Sequence, residues 1–212
     1  MSSPRTKTPV SKAARRTQEE RSESTRAALI AAARRLFAAR GYADVGTEEI
    51  VRAAGVTRGA LYHHFAAKPQ LFEAVYEQVE SELTEKIAAG ALGGSDPMDA
   101  LRSGTEMFLD ACLEPEVQRI VLLDAPAVLG WERWREIAAD HGLGLVEAAL
   151  GAAMESGAIA RQPLAPLAHV MMGALDEAAM LVARADDPDA ARAEVGATLH
   201  GILEALARIE SR

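Results

Sequence analysis

TEEIVRAAGVTRGALYHHF, residues 47–65, is the stretch whose reading decides the fold. It reads as two short helices joined by a tight turn. Thr47 is placed to cap the first, with Glu48 and Glu49 in the first turn, where carboxylates suit the positive end of the helix dipole. Ile50 and Ala53 share one face, and Gly55 ends the helix because it tolerates a left-handed backbone. Val56 plugs the turn and Thr57 caps the second helix, in which Leu61 and Phe65 point inward together. Arg58, Gly59, Tyr62 and one of His63 or His64 are left facing out. Helix, glycine turn, then a short helix with a polar outer face is the helix-turn-helix pattern of DNA-binding heads.

The frame around the motif carries more: LFAARGY at residues 36–42, EEI at 48–50, AAGVTRGALYHHF at 53–65, then Lys68 followed by Leu71 and Phe72. In these residues, about 25–85, the chain resembles the tetracycline-repressor family, nearest to its multidrug-efflux regulators. The resemblance implies an all-α protein of about nine helices: a three-helix helix-turn-helix head and a helical C-terminal domain for ligand binding and dimerisation. It assigns residues 1–22 to a disordered basic tail, 23–83 to the DNA-binding domain with its motif at 46–65, and 84–212 to the sensing and dimerisation domain. One departure from the pattern is Ala67, where a Ser or Asn usually caps the fourth helix ahead of the lysine. A missing cap costs about 1 kcal/mol, so that helix start is expected to fray.

The charge distribution agrees with a DNA-facing end. Residues 1–70 hold 13 Lys and Arg against 6 Asp and Glu, a balance of +7, whereas residues 71–212 hold 10 against 25, a balance of −15. The net charge of −8 would repel DNA were it evenly spread. Hydrophobic residues make up 49% and aromatics only 4%, a core of Ala, Leu, Val, Ile and Met that suits helices. Cys112 is the single cysteine, which leaves no intrachain disulfide or cysteine-held zinc. The N-terminus has no apolar signal region and no unbroken apolar run reaches membrane-spanning length, so a cytoplasmic protein without a membrane partner is expected.

Outward from the motif, residues 1–22 contain Pro4, Pro9 and little to bury. Arg5, Lys7, Lys12, Arg15 and Arg16 form either a basic arm for a minor groove or a solvated tail. Ser22 or Ser24 is the expected cap of the first helix, whose stripe of Leu29, Ile30, Ala33, Leu36 and Phe37 braces the motif before Gly41 stops it. A fourth helix runs from about Pro69 to Ala89, where GALGGSDP (residues 90–97) makes the clearest break. Further helices are predicted over 97–113, 115–123, 131–154, 164–185 and 188–209. In the last two, apolar residues such as Val170, Met171, Ala178, Leu181 and Val182, then Leu199, Ile202 and Leu203, spread over more than one face. The resemblance implies that these helices form a four-helix bundle between two subunits.

By the same resemblance Thr47, Thr57, Arg58, Gly59, Tyr62, His64 and Lys68 face double-stranded operator DNA. Arg58 is expected to read bases, Gly59 to let the backbone approach, and Thr47, Thr57, Tyr62 and His64 to hold phosphates. Lys68 adds charge at a helix start, and His63 is an outward position open to base reading. Two heads would sit in successive major grooves roughly 34–36 Å apart, which demands a palindromic operator. An unknown small-molecule effector would release the DNA, and the soft and aromatic side chains Met107, Phe108, Trp131, Trp134, Met171, Met172 and Met180, with Asp176, are the candidate pocket. Asp176 and Glu177 interrupt an apolar helix, so one of them is expected to pair with an arginine such as Arg184 or Arg192 across the dimer. Neither a cofactor nor a metal is expected. His141, His169 and His200 are scattered, and no catalytic motif accompanies Cys112, so an enzyme is the weaker reading. A dimeric helical scaffold that ignores DNA is the other alternative, against which Arg58, Tyr62 and Lys68 stand.

Overall fold

The computed structural model describes residues 12–91 and 96–207, and those residues are helical almost throughout. The candidate arm residues Arg5 and Lys7, the side chains of Lys12, Arg15 and Arg16, the centre of the Gly90–Pro97 break and Ile209 lie outside that description. Helix α1 spans Lys12–Arg40, α2 Thr47–Ala54, α3 Arg58–His64 and α4 Lys68–Ala91. The body follows with α5 (Pro97–Ala111), a π-helical stretch (Val117–Asp124) that runs into α6 (Ala125–Leu129), then α7 (Trp131–Glu155), α8 (Leu164–Arg184) and α9 (Pro188–Ala207).

Two starts differ from expectation. α1 begins ten residues before Ser22 and twelve before Ser24, its two predicted caps, so residues 12–22 belong to a helix and not to the tail. Ala, Arg, Gln and Glu dominate there and no Gly or Pro intervenes before Gly41, so intrinsic propensity carries the helix outward. At α4 no Ser or Asn caps the start, and the Gln70 side chain instead reaches back and accepts a hydrogen bond from the Ala66 N–H at 2.7 Å, tying the first turn to the residues before it.

The head closes on a small core. Leu29, Ala33 and Phe37 of α1 meet Ile50 of α2, Leu61 of α3, and Leu71 and Phe72 of α4, all fully buried. Phe37, Tyr42 and Phe72 form an aromatic triangle with centroids 5.1–5.6 Å apart. Gly55 has φ +68° and donates back to Arg52 and Val51 carbonyl oxygens through itself and Val56, which is the left-handed stop the motif requires.

α4 does not end where the head ends. Its stripe of Leu71, Phe72, Val75, Tyr76 and Val79 belongs to one continuous apolar core that reaches Ile120, Trp134 and Val182 in the body. The expected boundary at residue 83 therefore falls inside an unbroken helix. Head and body are also tied electrostatically. Arg34 of α1 forks onto Glu116 at 2.8 Å through two nitrogens and onto Glu82 at 2.6 Å. Asp124, at the end of the π stretch, accepts from the Tyr42 N–H at 2.7 Å.

The π stretch replaces most of the α-helix predicted over 115–123. Pro126 follows it and lacks an N–H, and in a regular α-helix its ring would crowd the Leu122 carbonyl. The wider turn, in which the Ala125 N–H reaches back to the Ile120 oxygen, avoids that clash. α8 is the one described helix long and apolar enough to cross a membrane by length and composition, yet it packs along α7 and α9. Its Asp176 is buried and faces Arg135 of α7 at 3.5 Å. Asp176 thus finds its arginine within the chain, and Arg192 is itself held by Glu106 and Asp110.

Gly55→Ala places a Cβ on a left-handed residue and should cost about 1–2 kcal/mol in urea unfolding. An unchanged midpoint would mean that the turn does not need this backbone.

Candidate functional site

Thr57 starts α3 as the sequence requires: its backbone is extended and its hydroxyl accepts from the Ala60 N–H at 3.2 Å. Thr47 does not cap α2. It is the first helical residue, the cap position is taken by Gly46 without any side-chain bond, and the hydroxyl turns toward Tyr62 instead. Leu61 and Phe65 face the core, and this rotation turns Arg58, Gly59, Tyr62 and His63 outward. Tyr62 is 44% exposed, a large aromatic left uncovered by the protein.

The outward face is preset by its own contacts. The Arg58 guanidinium lies over the Tyr62 ring at 5.6 Å and pairs loosely with Glu48 at 3.6 Å. Arg58 first, and then Thr47, hold the Tyr62 phenol below the usual tyrosine range. A Cβ on Gly59 would meet only the Thr57 hydroxyl at 3.9 Å, so internal packing does not demand glycine there. The bare backbone is free for an approach from outside. Of the two histidines, His63 is exposed, while His64 is half-buried and sits below the ordinary histidine range because of burial, with His63 and Arg26 adding to the effect.

Lys68 departs from its expected place. Its ammonium donates to the Tyr42 carbonyl at 2.6 Å and lies 3.9 Å from the centre of the Tyr42 ring. Burial lowers its pKa, with Asp124 and Asp44 pulling the other way. In the free protein this charge pins the turn between α1 and α2 instead of projecting from a helix start.

The body holds a second feature, an apolar cavity of about 110 Å³ between α4, α5, α7 and α8. Of the predicted pocket residues, Phe108, Met171 and Met172 line it. Met107, Trp131, Trp134, Asp176 and Met180 do not: Met107 lies over Gly90, Trp134 and Met180 are buried in the shared core, and Trp131 is on the surface. Sequence reading missed the α4 wall, Glu80, Leu83, Thr84 and Ile87. A signal for it existed. Glu80 lies four residues after Tyr76 and three before Leu83, so a carboxylate interrupts the apolar stripe of α4.

Glu80 is more than nine-tenths buried. Burial pushes its carboxyl up to about 7, with the Tyr76 hydroxyl pulling downward and Asp176 adding to the rise. Asp176 is raised to about 6, also by burial and against Arg135. Cys112 is fully buried and its thiol is pushed up to about 12, which leaves it a core side chain and not a nucleophile.

Two family models match this chain. "Bacterial regulatory proteins, tetR family" matches residues 29–75, the helices just described as the head, and "Tetracyclin repressor-like, C-terminal domain" matches residues 98–206. The chain belongs to the tetracycline-repressor family. A crystal structure of a TetR-family transcriptional regulator from Pectobacterium atrosepticum is 36% identical, with a TM-score of 0.81 over 91% of this chain and 98% of that one. The Transposon Tn10 TetC protein of Escherichia coli is 33% identical over 135 residues, 62% of this chain and 66% of that protein. The HTH-type transcriptional regulator AcrR of Shigella flexneri is 36% identical over 110 residues, 51% of each. The chain thus spans between about half and two thirds of these two curated relatives' lengths. As a member of this family of regulators, the protein is not an enzyme.

Glu80 and Asp176 give the fold a pH signature. Between their ordinary values and about 6–7 the folded chain holds protons that the unfolded chain has released. Stability therefore falls as pH rises from about 5 to about 8. Glu80→Gln removes its share, so the variant should gain on the wild type across that range, by on the order of 3 kcal/mol at most. Urea midpoints at the two pH values check this, and parallel profiles would show that Glu80 ionises normally.

Proposed function

We propose that the protein is a dimeric, sequence-specific transcriptional regulator that binds a palindromic operator through α3 and releases it when a small molecule enters the body cavity. The observation that carries this reading is the α3 face: Arg58 stacked on an exposed Tyr62, beside a glycine that packing does not need. A guanidinium reads guanine through O6 and N7, and a bare backbone beside it permits the approach that such readout requires. Tyr62, Thr47, Thr57 and the half-buried His64 are assigned to phosphate, which sets register without reading sequence. His63, exposed on the same helix, is a second base-reading position.

Dimerisation is assigned to α8 and α9. Val170 is 68% and Leu181 53% exposed on α8, and Ile202 is 39% exposed on α9. An apolar ridge along the last two helices suits a self-complementary helical interface. The acidic body keeps DNA at the basic head, and the work is done in the cytoplasm, where chromosomal operators are. The Arg34–Glu116 and Tyr42–Asp124 links give a change in the body a direct path to the turn that sets α2.

Arg58→Ala should flatten base preference at one operator position in each half-site, at a cost of about 1–3 kcal/mol of discrimination. Lys68→Ala should weaken all DNA alike, because it loosens the α1–α2 turn and touches no base. Binding of both variants to a randomised operator pool tests the pair, and unchanged base preference with Arg58→Ala would remove that residue from readout. For assembly, Leu181→Glu buries a charge in the proposed ridge and should yield monomers in sedimentation at micromolar concentration. A dimer that survives this change would move the interface elsewhere.

A further inference from the structure

The cavity in the body is built for one kind of guest. Its walls are aliphatic and aromatic except for Thr84, Thr105 and Glu80, and the Thr105 hydroxyl already donates to the Leu101 carbonyl. Among the described residues Glu80 is the single ionisable group lining it, and it is more than nine-tenths buried. Among the described residues no Lys, Arg or His nitrogen lies within 4 Å of its carboxyl. The donor beside it, the Tyr76 hydroxyl, is shared with the Trp134 carbonyl at 3.1 Å. From α8, Asp176 adds a second carboxyl nearby, and its own partner Arg135 is spent on it at 3.5 Å. Cys112, at the end of α5, is the remaining titratable group that feels Glu80, and it stays neutral. The surroundings hold two acids against one base.

We propose that the cavity binds a small lipophilic amine, whose ring or alkyl part fills the apolar space and whose ammonium pairs with Glu80. A buried carboxylate without a cation is costly, and a guest that supplies one recovers that cost on binding. An anion would meet like charge. A neutral guest would leave the carboxyl without a counter-charge, its pKa raised by burial. At about 110 Å³ the space is smaller than the roughly 150 Å³ apolar cavity that takes up benzene, so a single ring is the upper size of guest and enters as a wall gives way. Met172 is the adjustable wall: it packs against Gly142, where an added Cβ would stand 3.2 Å from its terminal methyl.

This inference rests on reading the cavity as the effector site, and calorimetry on the full chain without DNA separates the two. The probes are benzylamine, benzyl alcohol and benzoate, matched in size and different in charge. Benzylamine should bind at least about tenfold more tightly than benzyl alcohol, and benzoate should not bind. Near neutral pH benzylamine binding should release protons, read from buffers of different ionisation enthalpy, because the ammonium favours the ionised form of the raised Glu80 carboxyl. Glu80→Gln should abolish both the preference and the proton release. Equal affinity for amine and alcohol, amine binding without proton release in the wild type, or no binding of any probe would each overturn the proposal. Glu80-dependent amine binding that leaves operator affinity unaltered would uphold it and overturn the effector reading instead.

Discussion

Everything in this protein hangs on the buried stripe of α4. Leu71 and Phe72 at its start complete the head core, Tyr76 bonds the Trp134 carbonyl, and Glu80, Leu83 and Ile87 form a wall of the body cavity. A close-packed helix transmits displacement because side chains in a dense core have few alternative positions. Whatever shifts the cavity wall acts on the same rigid element that packs against α1, the helix on which α2 and α3 rest. Two polar ties reinforce that connection at the other side of the head, Arg34 to Glu116 and Tyr42 to Asp124, and both end on or beside the π stretch.

The head separates residues that hold it together from residues it leaves free. Thr57 caps, Leu61 and Phe65 pack, and Lys68 turns inward to pin the Tyr42 turn. What remains outward, Arg58, Gly59, Tyr62 and His63, has no packing duty, although Arg58 is held in place by Tyr62 and Glu48. Prior stacking of a guanidinium on a ring reduces the rotamer freedom lost on contact with a base edge. The body shows the opposite economy. It gathers two carboxyls in its interior against one arginine, and carries an apolar ridge on its exterior.

Legibility followed the range of the interactions. The Thr57 cap, the glycine turn and the inward pair Leu61 and Phe65 are set within a few residues of each other, so spacing alone revealed them. Helix bounds in the body were close for the same reason: Asp96 caps α5 by accepting from the Met98 N–H at 2.9 Å, and Asp187 does likewise for Ala190 at 3.1 Å. The pocket residues were not legible in this way. Met107, Trp134 and Met180 are soft or aromatic, but any core uses such residues, and only the crossing of four helices shows which of them border empty space. Thr47 failed because Gly46 beside it takes the extended cap conformation, a choice between neighbours that residue preference does not resolve.

The sequence by itself determined the helical class, the helix-turn-helix and its outward face, and the family, because each follows from local periodicity and short-range hydrogen bonding. Tertiary structure alone decided that Lys68 faces inward, that Asp176 meets Arg135, and that Glu80 stands on a cavity without a cation beside it. Those three are questions of which charge finds which partner. The answers lie in contacts between residues 26 and 41 positions apart or in their absence, and the low dielectric of the interior makes them energetically decisive.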